Sequence, residues 1–142
     1  MNTFNLHILA SNHTLYEGEC ESLVFPTTDG MMGIQAGHID MIAAIVTGEI
    51  TYLLPGGEEQ TAAVSDGMIK VENNDVVILV DSAERPEDID ILKAQQEAED
   101  AKEQLLQKRS SQEYYQAEAT LSRAMNQLRV GRKHARMDDQ SL

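Results

Sequence analysis

Residues 76–94 read VVILVDSAERPEDIDILKA, and the pattern of the chain changes in the middle of them. Val76–Val80 is an unbroken apolar run of strand length, the pattern of a central strand buried on both faces. Pro86 is the last proline of the chain, and Glu87, Asp88 and Asp90 follow it. Proline suits the first turn of a helix because its missing N–H is not needed there, and acids complement the positive end of the helix dipole. A strand gives way to a helix, and the boundary falls at about 84–88. Two domains follow, 1–84 and 85–142.

Upstream of the boundary, short apolar or alternating runs are separated by turn chemistry. Phe4, Leu6 and Ile8 alternate with Asn5 and His7, a half-buried strand. Residues 15–25 carry one or two strands up to Pro26, and EITYLL, EQTAAV and MIKVE follow. Turns are signalled by Ser11-Asn12-His13, Asp29-Gly30, Gly48, Pro55-Gly56-Gly57, Asp66-Gly67 and Asn73-Asn74-Asp75. No helical stretch of βαβ length interrupts the first 84 residues. This predicts an all-β antiparallel sandwich.

Downstream, one glycine and no proline remain after Pro86. Apolar residues recur at Ile91, Ala94, Ala98, Ala101 and Leu105, and again at Tyr114, Ala117, Leu121, Ala124 and Leu128, in steps of three and four. Ser110-Ser111 separates the two stripes. The spacing predicts an antiparallel hairpin with helices over about 86–108 and 112–134. Its seam is rich in alanine, so burial stabilises it modestly and a ligand or partner could shift its packing.

Charge divides at the same place. The chain carries a net charge of −13. Residues 1–84 hold thirteen acids and one base, Lys70, whereas 85–142 are nearly balanced. Within 121–136, Arg123, Arg129, Arg132, Lys133 and Arg136 occur without a single acid. Guanidinium groups pair bidentately with carboxylates, so this basic end fits an acidic partner. The acidic balance argues against general nucleic-acid binding. No apolar run approaches the roughly 20 residues of a membrane helix, no export signal precedes Met1-Asn2-Thr3, and the chain reads as soluble and unexported. A lone Cys20 excludes an internal disulfide framework and fits a reducing compartment. No phosphate-cradling Gly-Lys-Ser/Thr loop, nucleophile elbow or metal-ligand spacing of His7, His13, His38 and His134 is present, so no catalytic site and no metal site are expected.

Four segments, LYEGECESLVFPTTDG, GIQAGHIDMIAAIVTGEI, VSDGMIKVENNDVVILVDSAERPEDID and LSRAMNQLRV, together resemble the epsilon subunit of the bacterial rotary ATP synthase over nearly the whole chain. Ala36 stands where the family's Gly-Ile-x-Pro-Gly-His motif has proline, a change expected to loosen that loop. The resemblance implies a sandwich of ten strands and a helical hairpin in a non-catalytic central-stalk subunit. It implies partners in the gamma subunit, the ring of c subunits and the beta and alpha subunits, without lipid insertion, on the cytoplasmic side of the bacterial plasma membrane. It implies coupling of ring rotation to ATP synthesis, and inhibition of hydrolysis when Arg123, Arg129, Arg132, Lys133 and Arg136 meet an acidic segment of beta. Met31, Met32 and His38 become candidates for the gamma or c-ring interface.

Some members bind ATP at the start of the hairpin. The matching residues here are Glu84, Ile89, Asp90, Lys93 and Arg123, but Lys93 replaces the motif's arginine, and Asp100 and Gln127 replace two more. ATP is left as a weak regulatory ligand, and no other cofactor is implied. The residues alone also fit a free-standing nucleotide-sensing module, or a protein-binding sandwich with a coiled-coil oligomerisation tail.

Overall fold

A computed structural model describes residues 2–107 and 110–140. The chain divides into two compact units, Met1–Arg85 and Pro86–Leu142.

The first unit is ten strands in two sheets: β1 (Phe4–Ala10), β2 (Thr14–Cys20), β3 (Ser22–Thr27), β4 (Gly30–Gln35), β5 (Met41–Ile45), β6 (Gly48–Leu53), β7 (Glu59–Val64), β8 (Gly67–Glu72), β9 (Asp75–Val80) and β10 (Ala83–Glu84). One sheet runs β2-β1-β9-β8-β5 and the other β10-β7-β6-β3-β4. Neighbours pair antiparallel with one exception: β1 and β9 run parallel, from Asn5 opposite Asp75 to Ala10 opposite Val80. The core is the set of inward residues from both sheets, including Phe4, Leu6, Ile8, Leu23, Phe25, Ile34, Ile50, Tyr52, Ile69 and Ile78. Period-two alternation puts them on one face of each strand. Asn73 and Asn74 both take positive φ, 52° and 62°, which lets a two-residue turn join β8 to β9.

The run Val76–Val80 departs from expectation. It forms β9 in the middle of its sheet, but it is buried on one face only, and Leu79 is 46% exposed. The outer row Leu9, Leu79, Met68 and Ala44, aligned by the register of β1, β9, β8 and β5, is apolar without being covered within the sheet. A two-layer sandwich buries only the faces between its sheets.

The second unit opens with a 3-10 turn at Pro86–Asp88, followed by α1 (Ile91–Gln107) and α2 (Ser111–Gln140). The first helix therefore starts later than residue 86. Asp90 is its cap: the Asp90 carboxylate accepts from the Lys93 N–H at 3.0 Å, and its carbonyl accepts from Ala94 at 3.0 Å. The expected end at Lys108 lies outside the described residues. The second helix extends past residue 134 to Gln140, and Ser110 caps it through the Glu113 N–H at 3.1 Å. Ala94, Ala98 and Ala101 of α1 and Ala117 and Ala124 of α2 are buried, as the stripes predict. Tyr114 is not in the seam; it is 42% exposed and meets Tyr115 edge-on, with ring centres 5.9 Å apart. It lies in the first turn of α2. Asn126 and Val130 are buried instead, off the seven-residue stripe, and the stripe itself continues to the buried Gly131.

Candidate functional site

The candidate residues form three groups: one on the β4 side of the sandwich, one spread over β10, the start of α1 and α2, and one along α2. The first is the β4 side of the sandwich. Met31 and Met32 lie on β4, the last strand of its sheet, with side chains on opposite faces and exposures of 61% and 36%. His38 follows in the loop 36–40, half-buried, with its ring Nδ1 2.8 Å from the Ile39 carbonyl and its backbone N–H donating to the Gln35 carbonyl at 3.3 Å. The loop is tied down from the β8–β9 turn: the Gly37 N–H donates to Asn74 Oδ1 at 2.9 Å, and the Asn73 N–H donates to Asp40 Oδ1 at 3.1 Å. These bonds oppose the looseness expected from Ala36. Around this loop and the adjoining strands, Val24, Ile39 and Ile42 are also exposed, at 37%, 78% and 67%. Sequence reading missed those three and missed Asn74 and Asp40 as the residues that position His38. The turn signal Asn73-Asn74-Asp75 marked the bend without revealing that its side chains reach a loop far away in the sequence.

The second group is the nucleotide candidate at the start of the hairpin. Glu84 belongs to β10 of the sandwich unit, where it pairs with Ala63. Ile89, Asp90, Lys93 and Arg123 belong to the helical unit. The side chain of Ile89 lies beside Gly131: a Cβ added there would sit 3.2 Å from both Ile89 Cγ2 and Ile91 Cγ1. Asp90 is engaged as the α1 cap, and Lys93 is exposed beside it. Arg123 Nη2 lies 3.4 Å from Glu97 Oε2 across the hairpin, both side chains about one-third exposed. Glu97 was not anticipated, although laying the two stripes antiparallel brings it opposite Arg123. Its carboxylate offsets one of the cations that a triphosphate would need.

The third group is the basic end of α2. Arg129, Arg132, Lys133 and Arg136 are all exposed and spaced at i, i+3, i+4 and i+7, which places them on one face of the helix. Arg129 also donates to Asn126 Oδ1 at 2.5 Å. Arg123 stands apart from this stripe, at the seam and matched by Glu97. What was read as five equivalent charges is thus one stripe of four plus one internal ion pair. Such a stripe suits an extended row of carboxylates on another protein.

Among the described residues no group of three His, Cys, Asp or Glu could hold a metal ion, and no helix is long and apolar enough to cross a membrane. Cys20 is fully buried and its Sγ donates to the Ser22 carbonyl at 3.0 Å; burial pushes its pKa up, so the thiol is held un-ionised.

Comparison with known proteins gives one consistent answer. The family described as "ATP synthase, Delta/Epsilon chain, beta-sandwich domain" matches residues 3–86, and "ATP synthase, Delta/Epsilon chain, long alpha-helix domain" matches 87–131. The chain is 38% identical over 135 residues to a protein of Caldanaerobacter subterraneus subsp. tengcongensis called "ATP synthase epsilon chain", spanning 95% of this chain and 98% of that one. It is 37% identical over 128 residues to the protein of the same name from Ruminiclostridium cellulolyticum, spanning 90% and 95%. Among solved structures, a chain in the Euglena gracilis mitochondrial ATP synthase, OSCP/F1/c-ring in rotational state 1, superposes with a TM-score of 0.73 at 21% identity, covering 89% of this chain and 79% of that one.

Proposed function

The chain belongs to the ATP synthase delta/epsilon family, in which its relatives are epsilon chains, and from that premise we propose how its two units divide the work of a non-catalytic central-stalk subunit. The sandwich docks on the gamma subunit and the c ring, through the surface that carries Met31, Met32 and His38, and passes ring rotation to the catalytic subunits as ATP synthesis. The helical unit restrains ATP hydrolysis when its basic face meets an acidic segment of the beta subunit, with alpha alongside. The protein is peripheral, on the cytoplasmic side of a bacterial plasma membrane, held by other subunits rather than by lipid.

One observation carries the inhibitory part: four cations on one exposed helical face of an otherwise acidic protein. Compensation of a helix dipole needs charge only in the last turn, whereas Arg129, Arg132, Lys133 and Arg136 extend over two turns. Solvent-exposed, they retain the freedom to change partner when the hairpin repacks. ATP enters this reading only as a weak regulatory ligand at Ile89, Asp90, Lys93 and Arg123 of the helical unit, because Asp90 already caps α1 and Arg123 is already matched by Glu97.

The test is ATP hydrolysis by a catalytic head stripped of its own epsilon subunit, measured with the full chain and with a chain stopped after Arg85. Both are expected to bind, and only the full chain to suppress turnover. If both bind and neither suppresses, the helical unit is not a brake. If neither binds, the stalk role is wrong for this chain.

A further inference from the structure

Each sheet of the sandwich has two terminal strands, and a terminal strand presents backbone groups that another chain can pair with. Three of these four ends are obstructed. The strand β2 carries Glu17 and Glu19, β10 is two residues long, and the end of β5 is tied to β3 by the Val46 N–H donating to the Pro26 carbonyl at 3.2 Å. The fourth, β4, reads Gly-Met-Met-Gly-Ile-Gln: no charge, no proline and no bulge in its pairing with β3.

Register shows which of its groups face outward. Pro26 turns its carbonyl away from β4, toward Val46. By alternation, Leu23, Phe25 and Thr27 face β4 and pair with Ile34, Met32 and Gly30. The N–H and C=O of Met31 and Gly33 therefore point off the free edge. A Cβ at Gly33 would make only an ordinary contact, with the Leu23 carbonyl oxygen at 3.8 Å. A shallow depression bounded by Val24, Gly33, Gln35 and His38 lies over it.

From these features we infer that β4 accepts an extended strand from a partner subunit, adding a sixth strand to its sheet through backbone bonds at Met31 and Gly33. This rests on the docking role proposed above and specifies how that surface is read. Strand addition takes its affinity from main-chain bonds and its selectivity from alternate side chains. The incoming strand carries apolar residues on both faces, one set beside Met32 and the other, best filled by an aromatic ring, leaning over Gly33. It is flanked by lysine or arginine, because the sandwich offers thirteen acids against one base over residues 1–84.

The test uses the full chain and a synthase assembly stripped of its own epsilon subunit. Backbone amide exchange is followed at Met31 and Gly33 in the free chain and in the complex, and affinity is compared for Gly33→Pro and Gly33→Ala, with circular dichroism confirming that both fold. The proline deletes an outward N–H that the sheet itself does not use, and edge strands tolerate it. The alanine keeps the N–H and has room for its methyl. Expected are amides that exchange freely in the free chain and slow at least tenfold in the complex. Gly33→Pro should bind roughly tenfold more weakly, equivalent to about 1.4 kcal/mol, and Gly33→Ala within about twofold of the parent. If the parent chain joins the assembly while Met31 and Gly33 still exchange freely, strand addition is wrong and the docking role stands. Equal losses for the alanine and proline variants would mean a side-chain contact and would also overturn it. Slow exchange in the free chain that depends on its concentration would make a second copy the occupant, against the inference. Failure of the parent chain to join would remove both readings.

Discussion

Replacing Ala124 by glycine, and separately Ala119 by glycine, separates the two things that hold the hairpin together. Ala124 is fully buried in the seam, whereas Ala119, on the same helix and also well inside it, is exposed. Glycine in a helix interior costs about 1 kcal/mol relative to alanine wherever it stands. At Ala124 it also removes a buried methyl, worth about 0.8 kcal/mol. The Ala119 variant should therefore lose about 1 kcal/mol of local stability and the Ala124 variant about 1.8 kcal/mol. At 1.4 kcal/mol per tenfold, opening becomes roughly 5-fold and roughly 20-fold more populated respectively. Amide hydrogen exchange of residues 111–137 reads this directly, and the amides of β6 serve as the internal reference. Equal opening in the two variants would mean that seam burial contributes nothing, removing the physical basis for a hairpin that repacks. Loss of protection in β6 together with the helices would refute separate cooperativity of the two units.

Other outcomes follow from the same structure. Changing Arg129, Arg132, Lys133 and Arg136 together to glutamine should weaken suppression of hydrolysis roughly thirtyfold, taking about 0.5 kcal/mol for each exposed pair, while binding to the stalk stays intact; unchanged suppression would disprove the basic-face reading. Gly67→Ala should lower the melting temperature of the sandwich by roughly 10 °C or more, because its Cβ would overlap the Leu79 carbonyl oxygen and approach Val80 Cα to 2.7 Å; calorimetry measures it. Cys20 should resist iodoacetamide in the folded chain and react rapidly in urea. Since burial raises its pKa in the folded state, its contribution to stability is present below the ordinary value of 9.0 and is lost as pH rises beyond it, so Cys20→Ala should flatten the alkaline limb of a stability–pH curve.

The sandwich was legible where one face of a strand is wet, as at Phe4, Leu6 and Ile8, because alternation encodes the buried face directly. It was not legible at Val76–Val80, since a continuous apolar run says nothing about which face meets the second sheet. The parallel pairing of β1 with β9 left no local trace, because partners from opposite ends of the domain are chosen by topology. The start of α1 was misplaced because Pro86 is compatible with a helix, yet Asp90 captures the Lys93 N–H and sets the cap one turn later. The basic segment was visible as composition, but its separation into an exposed stripe and an Arg123–Glu97 pair depends on the packing of α2 against α1. The β4 side was marked only by Met31, Met32 and His38; its open backbone edge follows from the register, which single residues do not carry.

The parallel union of β1 and β9 has a temporal consequence. The strand made first cannot complete its pairing until the strand ending at Val80 has been synthesised, so nearly the whole first unit must exist before its central ladder closes. Forming such a distant pairing requires closing a long loop before any bond rewards it, which slows folding. The helical unit, whose partners adjoin one another in sequence, closes quickly by comparison. During synthesis β1 can pair with β2 at once, but its other edge waits unpaired until β9 arrives, and the interval in which that edge is open to aggregation is set by the distance between the first and ninth strands.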